Sequence, residues 1–167
     1  MKWIDGSEID LTGCTGEALC ERIALELWRS GGPEQWLQCP EPLQNACFLI
    51  AFDTELTMEG IFTFLENSLG HYASCIVHAF RMIGAQEDAG ALEQICDIAP
   101  PDLMRGEFLE NAWEEYALST FNEDHELTEG AVELIEHLSG RLYLHTGRDI
   151  WSLLFQYLDR ELGQTAP

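Results

Sequence analysis

Apolar residues recur along this chain with the spacing of an α-helix, and glycine or proline follows most of these segments. Residues 16–30 show the pattern most clearly. Leu19, Ile23 and Leu27 are four residues apart, which places their side chains on one face of a helix, and Gly31-Gly32-Pro33 then ends it. Only residues 141–145 alternate as a strand does, and that stretch is too short to support a sheet. The pattern predicts an all-α protein.

The same reading divides the chain into about seven to eight helices. Its length of 167 residues suits one compact domain, and no segment has the length or polarity of an interdomain linker. We therefore expect a single all-helical domain over residues 1–167, with Gly70 as a left-handed cap and Thr128 and Asp149 as helix starts. The predicted helices cover residues 16–30, a segment from Pro42 through Ile50, residues 58–68, 72–83, 86–98 and 106–120, a segment from Thr128 to Gly140, and a last one from Asp149.

The charge balance limits what the chain can bind. Thirty Asp and Glu residues stand against eight Lys and Arg residues, for a net charge of −22. Such a chain repels nucleic acid and anionic membranes and attracts basic surfaces. It is not a disordered acidic tail, because 46% of its residues are hydrophobic. A solubility coat and a halophilic adaptation also explain acidity, but the many large aromatic residues argue against the halophilic one.

The acidity is concentrated between Gly84 and Gly140, where fifteen carboxylates stand against Arg105, a net charge of −14. Two sets within this stretch have the spacing of one helix face, so each set predicts a row of carboxylates. Carboxylates on successive turns are separated by about 5.4 Å along the helix axis, and a DNA strand carries a phosphate about every 3.4 Å of its axis. Two neighbouring acidic helices could therefore present a charge density close to that of DNA. The candidate partner-binding residues are Glu107, Glu110 and Glu114 in one set and Glu129, Glu133 and Glu136 in the other.

The six cysteines form no Cys-x-x-Cys pair, so neither a zinc ribbon nor a thioredoxin-type motif is present. The N-terminus lacks the apolar segment of a signal peptide, and no apolar run is long enough to span a membrane. We expect a cytoplasmic protein with reduced thiols. His71, Cys75 and His78 have the i, i+4, i+7 spacing of a metal site on a helix, although the surrounding apolar residues favour a place at the rim of the core.

Sequence signatures of catalysis are absent. The chain has no phosphate-binding glycine loop, no nucleophile elbow and no His-Glu-x-x-His motif. Arg148 beside Asp149 is typical of charges at a helix start. We expect no enzymatic activity and no cofactor.

Two segments, Met58–Gly70 and Ala79–Ala85, resemble a bacterial domain-of-unknown-function family. The family motif runs Asn-Gly-Gly-Phe, then aromatic residues, then Asn-Ser-x-Gly, then Ala-Leu-x-x-Ile-Gly-Ala, and the likeness extends over residues 43–98. The chain departs from it at Met58 and Glu59, which stand where the motif has Asn-Gly, at Ile61 in place of phenylalanine, and at Thr63 in place of a family glutamine. The matching residues are Gly60, Phe64, Asn67, Ser68, Gly70, Ala79, Ile83, Gly84 and Ala85.

The resemblance implies a fold more directly than a function. The motif reads as structural: Gly60 and Gly70 permit turns or close approach, Asn67 and Ser68 satisfy a helix end, and Phe64 packs. The family includes the nineteen-kilodalton DNA-mimic proteins, which are acidic, helical and dimeric and occupy the DNA-binding surface of a transcription regulator. The resemblance thus implies a homodimer and a basic, DNA-binding protein as partner.

Four interpretations remain open at this point. The first is an acidic interaction module that covers a basic protein, as a DNA mimic does. The second is an immunity or antitoxin-like protein that neutralises a cationic toxin. The third is a metal-binding protein or enzyme using His71, Cys75 and His78. The fourth is a scaffold whose acidity has no specialised role.

Overall fold

Helices make up the fold, as the sequence predicts. The computed structural model describes residues 1–29, 31–106 and 120–163. Ten α-helices occupy these ranges, which contain no strand beyond two isolated bridges. Seven of the ten have at least seven residues, in agreement with the expected number. The helices are α1 (Gly16–Glu26), α2 (Pro33–Trp36), α3 (Glu41–Met58), α4 (Gly60–Glu66), α5 (Ala73–Ile83), α6 (Gln86–Ile98), α7 (Pro101–Met104), α8 (Glu129–Ser139), α9 (Tyr143–Thr146) and α10 (Ile150–Glu161).

Most helix ends lie where local chemistry predicts them. The Thr128 hydroxyl accepts a hydrogen bond from the backbone N–H of Ala131, and Asp149 accepts one from Ser152, so both residues are N-caps. Gly84 ends α5 in the left-handed conformation, with φ 90°. The predicted helix over residues 106–120 lies almost wholly outside the described residues. No helix in the described ranges is long and apolar enough to cross a membrane.

α3 is the central helix. Residues 45–52 are buried without interruption, and α1, α4, α5 and α10 pack around this helix. The ring of Phe52 meets Phe64 of α4 at 4.9 Å and Phe80 of α5 at 5.8 Å, both edge to face. α6 packs against α5 on one side and α8 on the other. α6 and α8 therefore lie beyond α5 and make little contact with α3.

The prediction for Gly70 is wrong. This residue is not a left-handed cap: its φ is not positive, and it lies within a 3₁₀ helix, Ser68–Tyr72. A Cβ at this position would lie 2.8 Å from the carbonyl oxygen of Phe64 and 3.1 Å from Cβ of Pro101. Glycine is needed here because α4 and α7 approach the backbone closely, which is the other role that the motif suggests.

We predict opposite effects for alanine at two glycines. Gly70→Ala should lower the free energy of unfolding by about 1–3 kcal/mol, because a methyl group must displace backbone. Gly90→Ala in α6 should raise it by up to about 1 kcal/mol, because Gly90 is helical and nothing lies within 4 Å of its Cβ position. Urea unfolding measures both values. A Gly70→Ala variant as stable as the wild type would contradict the close-approach explanation.

Candidate partner-binding surface

α8 presents a row of exposed carboxylates. Its apolar face, with Ala131, Ile135 and Leu138, is buried. The opposite face carries the three predicted candidates Glu129, Glu133 and Glu136, all exposed. Within the described residues, none of the three forms an ion pair. The structure thus places these residues together on solvent-facing surface, and their role in binding stays a prediction.

The other predicted row, Glu107, Glu110 and Glu114, lies outside the described residues. The neighbour of α8 that the structure does describe is α6. α6 exposes Glu93 and Asp97, which are four residues apart, and Glu93 forms a 2.7 Å ion pair with Arg81. We call five exposed carboxylates of these two helices the α6–α8 acidic surface, leaving out Glu87 in the first turn of α6; they are Glu93, Asp97, Glu129, Glu133 and Glu136. The spacing of Glu93 and Asp97 could have revealed the α6 part from sequence.

Acidic residues are not confined to this surface. Glu17 and Glu21 of α1 and Glu34 of α2 are also exposed. Part of the negative charge is therefore a general coat. The α6–α8 acidic surface differs from this coat in that adjacent helices carry its carboxylates, and Arg81 is the one cation in the described ranges that forms an ion pair with it.

The two histidines of the candidate metal site each contact a carboxylate. His71 Nδ1 lies 2.8 Å from an Asp102 carboxylate oxygen, and His78 Nε2 lies 2.8 Å from a Glu41 carboxylate oxygen. His71 belongs to the 3₁₀ helix that precedes α5, so the continuous helical spacing assumed for the three residues does not hold. In the described part of the chain, no three His, Cys, Asp or Glu side chains are arranged to hold a metal. Cys75 and His78 line a cleft of about 350 Å³ near Glu41.

All six cysteines are free thiols. Burial raises the pKa of Cys20 and of Cys96 to about 12, and it raises the pKa of Cys39 and Cys47 as well. These four thiols are therefore protonated at neutral pH and are poor nucleophiles.

The family motif is largely part of the scaffold. Gly60 (φ 84°) turns the chain between α3 and α4, Phe64 packs on Phe52, and Ile83 is buried beside the Gly84 cap. Asn67 departs from its predicted role. Its amide caps no helix and instead lies 3.4 Å from a Glu59 carboxylate oxygen. Ser68 is exposed at the start of the 3₁₀ helix.

Glu55 is a half-buried carboxyl in α3. Burial raises the pKa of Glu55, and the polar side chain of Asn67 opposes that shift only in part. The Oε2 atom of Glu55 is buried and has no hydrogen-bond partner among the described residues. The charged form of Glu55 is therefore a local cost to the folded state at neutral pH.

Arg148 does more than a charge at a helix start. Its guanidinium donates two hydrogen bonds to the buried carboxylate of Asp88, at 3.1 and 3.0 Å, and one to Glu87 at 2.5 Å. It also donates to the carbonyl oxygen of Arg141. Asp88 in turn accepts a 2.6 Å bond from the backbone N–H of Tyr143. This network joins the start of α6 to the segment from α8 to α10, and no local sequence pattern indicates it.

A protein-family model described as DMP19-like protein matches residues 38–161. The match covers about three-quarters of the chain. The chain belongs to the DMP19-like protein family. The resemblance read from the sequence is thereby confirmed. No curated protein and no solved structure shows a significant match.

The range matched by the family spans α3 to α10 and includes the α6–α8 acidic surface. Residues 1–37, with α1 and α2, lie outside it. Leu25 and Trp28 belong to this N-terminal part and are 77% and 61% exposed. They are large apolar side chains on the surface, and helical periodicity does not distinguish them from core residues.

Glu55→Gln tests the cost of the buried charge. Because the folded-state pKa of Glu55 is raised, its protonation favours folding at low pH, and this contribution is lost as pH rises through that pKa. The variant should therefore be more stable than the wild type at pH 7, and the gain should shrink towards pH 4. Urea unfolding at both pH values measures it. Exposed Glu66→Gln is the control, and an equal gain there would contradict the explanation.

Arg148→Ala tests the network at Asp88. The substitution leaves a carboxylate that is 1% exposed without its cation, so unfolding free energy should fall by about 3 kcal/mol. Arg81→Ala is the matched control, because it breaks an exposed pair with Glu93 and should cost at most about 1 kcal/mol. Thermal and urea unfolding report both. Similar small losses in the two variants would show that Asp88 does not depend on Arg148.

Proposed function

We propose that this protein binds the basic surface of a DNA-binding protein through the α6–α8 acidic surface and thereby occupies the place of DNA. The observation that carries the proposal is the row of exposed carboxylates on α8, which form no ion pair among the described residues, in a chain of the DMP19-like family. Carboxylates that lack a cation in the free protein gain one on binding. No ion pair within the described residues must then be broken at these three carboxylates, and the cost of binding is the loss of water and counterions from both surfaces.

The spacing of the row supports mimicry of a phosphate backbone. From Glu129 to Glu136 the helix rises about 10 Å, and it carries three carboxylates over that length. A DNA strand carries about three phosphates over the same distance. Glu93 and Asp97, which are exposed on the adjacent helix α6, add two more carboxylates. Lysine and arginine side chains placed to meet phosphates would meet carboxylates here.

The charge of the chain supports a protein partner rather than nucleic acid. At a net charge of −22, direct contact with DNA or RNA is repulsive over most of the surface. The DMP19-like family is not a known enzyme family. A binding role in which the whole chain acts as a folded polyanion agrees with both facts.

A triple substitution tests the surface. Tagged wild-type protein should capture a DNA-binding protein from a lysate of its own source organism at low salt. Duplex DNA should displace that protein from the purified complex. The variant Glu129→Gln/Glu133→Gln/Glu136→Gln should weaken binding about tenfold, because each exposed pair contributes up to about 1 kcal/mol. Its affinity should also depend less steeply on salt than that of the wild type.

The control variant is Glu17→Gln/Glu21→Gln/Glu34→Gln, which removes the same charge from exposed positions on α1 and α2. Equal weakening by the two variants would mean that total charge matters and that the α6–α8 acidic surface is not the site. A captured basic protein that duplex DNA does not displace would contradict DNA mimicry and would favour neutralisation of a cationic toxin.

A further inference from the structure

A cleft of about 400 Å³ opens between the start of α6 and the start of α10. Its lining includes Gly84 and Ala85, two residues of the family motif, although neither has a side chain able to bind a ligand strongly. No heavy atom lies within 4 Å of the Cβ position of Gly84, so the cleft stays open beside this glycine. The motif thus shapes one wall of the cleft in addition to ending α5.

One part of the cleft is apolar. Ala85 and Ile150 are buried and form its inner wall, and Leu153 is 36% exposed on its α10 side. A leucine on the surface of so acidic a chain can contact the methylene groups of a ligand. The apolar part therefore suits an aliphatic chain rather than a small inorganic ion.

The charged part of the cleft favours a cation. Glu87, Asp88 and Asp149 line it together with Arg148. The helix starts of α6 and α10 each contribute roughly half a positive charge. Three carboxylates against one guanidinium and these two partial charges leave a local charge of about −1. Arg148 already donates to both oxygens of Asp88 and to Oε2 of Glu87, so its positive charge is largely neutralised within the protein.

We infer that this cleft receives an arginine or lysine side chain of the basic partner, an inference that rests on the proposed function. The aliphatic stem of that side chain lies against Ile150 and Leu153. Its charged end lies at Oε1 of Glu87, since Oε2 already accepts from Arg148, and at the exposed carboxylate of Asp149. The cleft then contributes shape complementarity to the partner, whereas the α6–α8 acidic surface contributes electrostatic attraction alone.

A peptide titration tests this inference on the full chain. The probe is a blocked Gly-Arg-Gly peptide, and its control is the same peptide with neutral citrulline in place of arginine. The methyl NMR signals of Ile150 and Leu153 should shift and saturate with the arginine peptide only. The variant Glu87→Gln/Asp149→Asn should weaken this binding about fivefold. It should keep the fold, because asparagine also caps a helix and Asp88 still holds Arg148.

Glu17→Gln/Glu21→Gln serves as the matched variant and should change the affinity at the cleft less than about twofold, because α1 does not line it. Equal shifts with the citrulline peptide would overturn the inference. So would an arginine peptide that shifts only signals of α8, and that result would leave the proposed function intact. The opposite result has two parts: the arginine peptide binds the cleft, and the Glu129→Gln/Glu133→Gln/Glu136→Gln variant keeps its full affinity for the DNA-binding protein. That result would contradict the proposed function alone.

Discussion

The burial of α3 is the constraint on which the rest of the structure depends. A chain with a net charge of −22 is opposed by its own charge when it becomes compact, so an apolar core must offset that repulsion. Residues 45–52 of α3 are buried on every side. Even its polar residue within that run, Asn45, is satisfied, because its amide donates to the Tyr157 hydroxyl of α10. The packing of α1, α4, α5 and α10 on α3 sets the positions of these helices. Carboxylates such as Glu17, Glu21 and Glu66 on them remain exposed.

A second contact fixes the acidic half to that core. Asp88 at the start of α6 is 1% exposed, yet it binds both Arg148 and the backbone of Tyr143. The Tyr143 hydroxyl in turn donates to Asp53 of α3 at 2.6 Å. Through these bonds the segment between α8 and α10 is tied to α6 and α3. The exposed carboxylates of α8 therefore have fixed positions. Polar contacts hold the segment that follows α8, and apolar packing holds α8 along its length.

Local patterns predicted the parts of this fold that local chemistry determines. Thr128 and Asp149 were identifiable as caps because their side chains bond a backbone N–H three residues on. The row on α8 was identifiable from spacing alone. Gly70 was misread as a cap, since a glycine required by a contact with Phe64 and Pro101 looks the same in sequence as one required by φ. Arg148 was underestimated because its partners lie 60 and 61 residues away.

The same limit applies to the candidate site. Helical spacing identifies which carboxylates share a face, but not which faces become neighbours, so the pairing of α6 with α8 required the structure. This distinction bears on specificity. An even coat of carboxylates attracts any basic protein and is weakened by salt, because its contribution is mainly long-range Coulomb attraction. Discrimination between basic partners needs groups at fixed positions with shape as well as charge. In the binding proposed above, α8, held on its apolar face, would supply such fixed positions. The cleft at the start of α6 would supply others, because Arg148 holds the carboxylates of Asp88 and Glu87 in place.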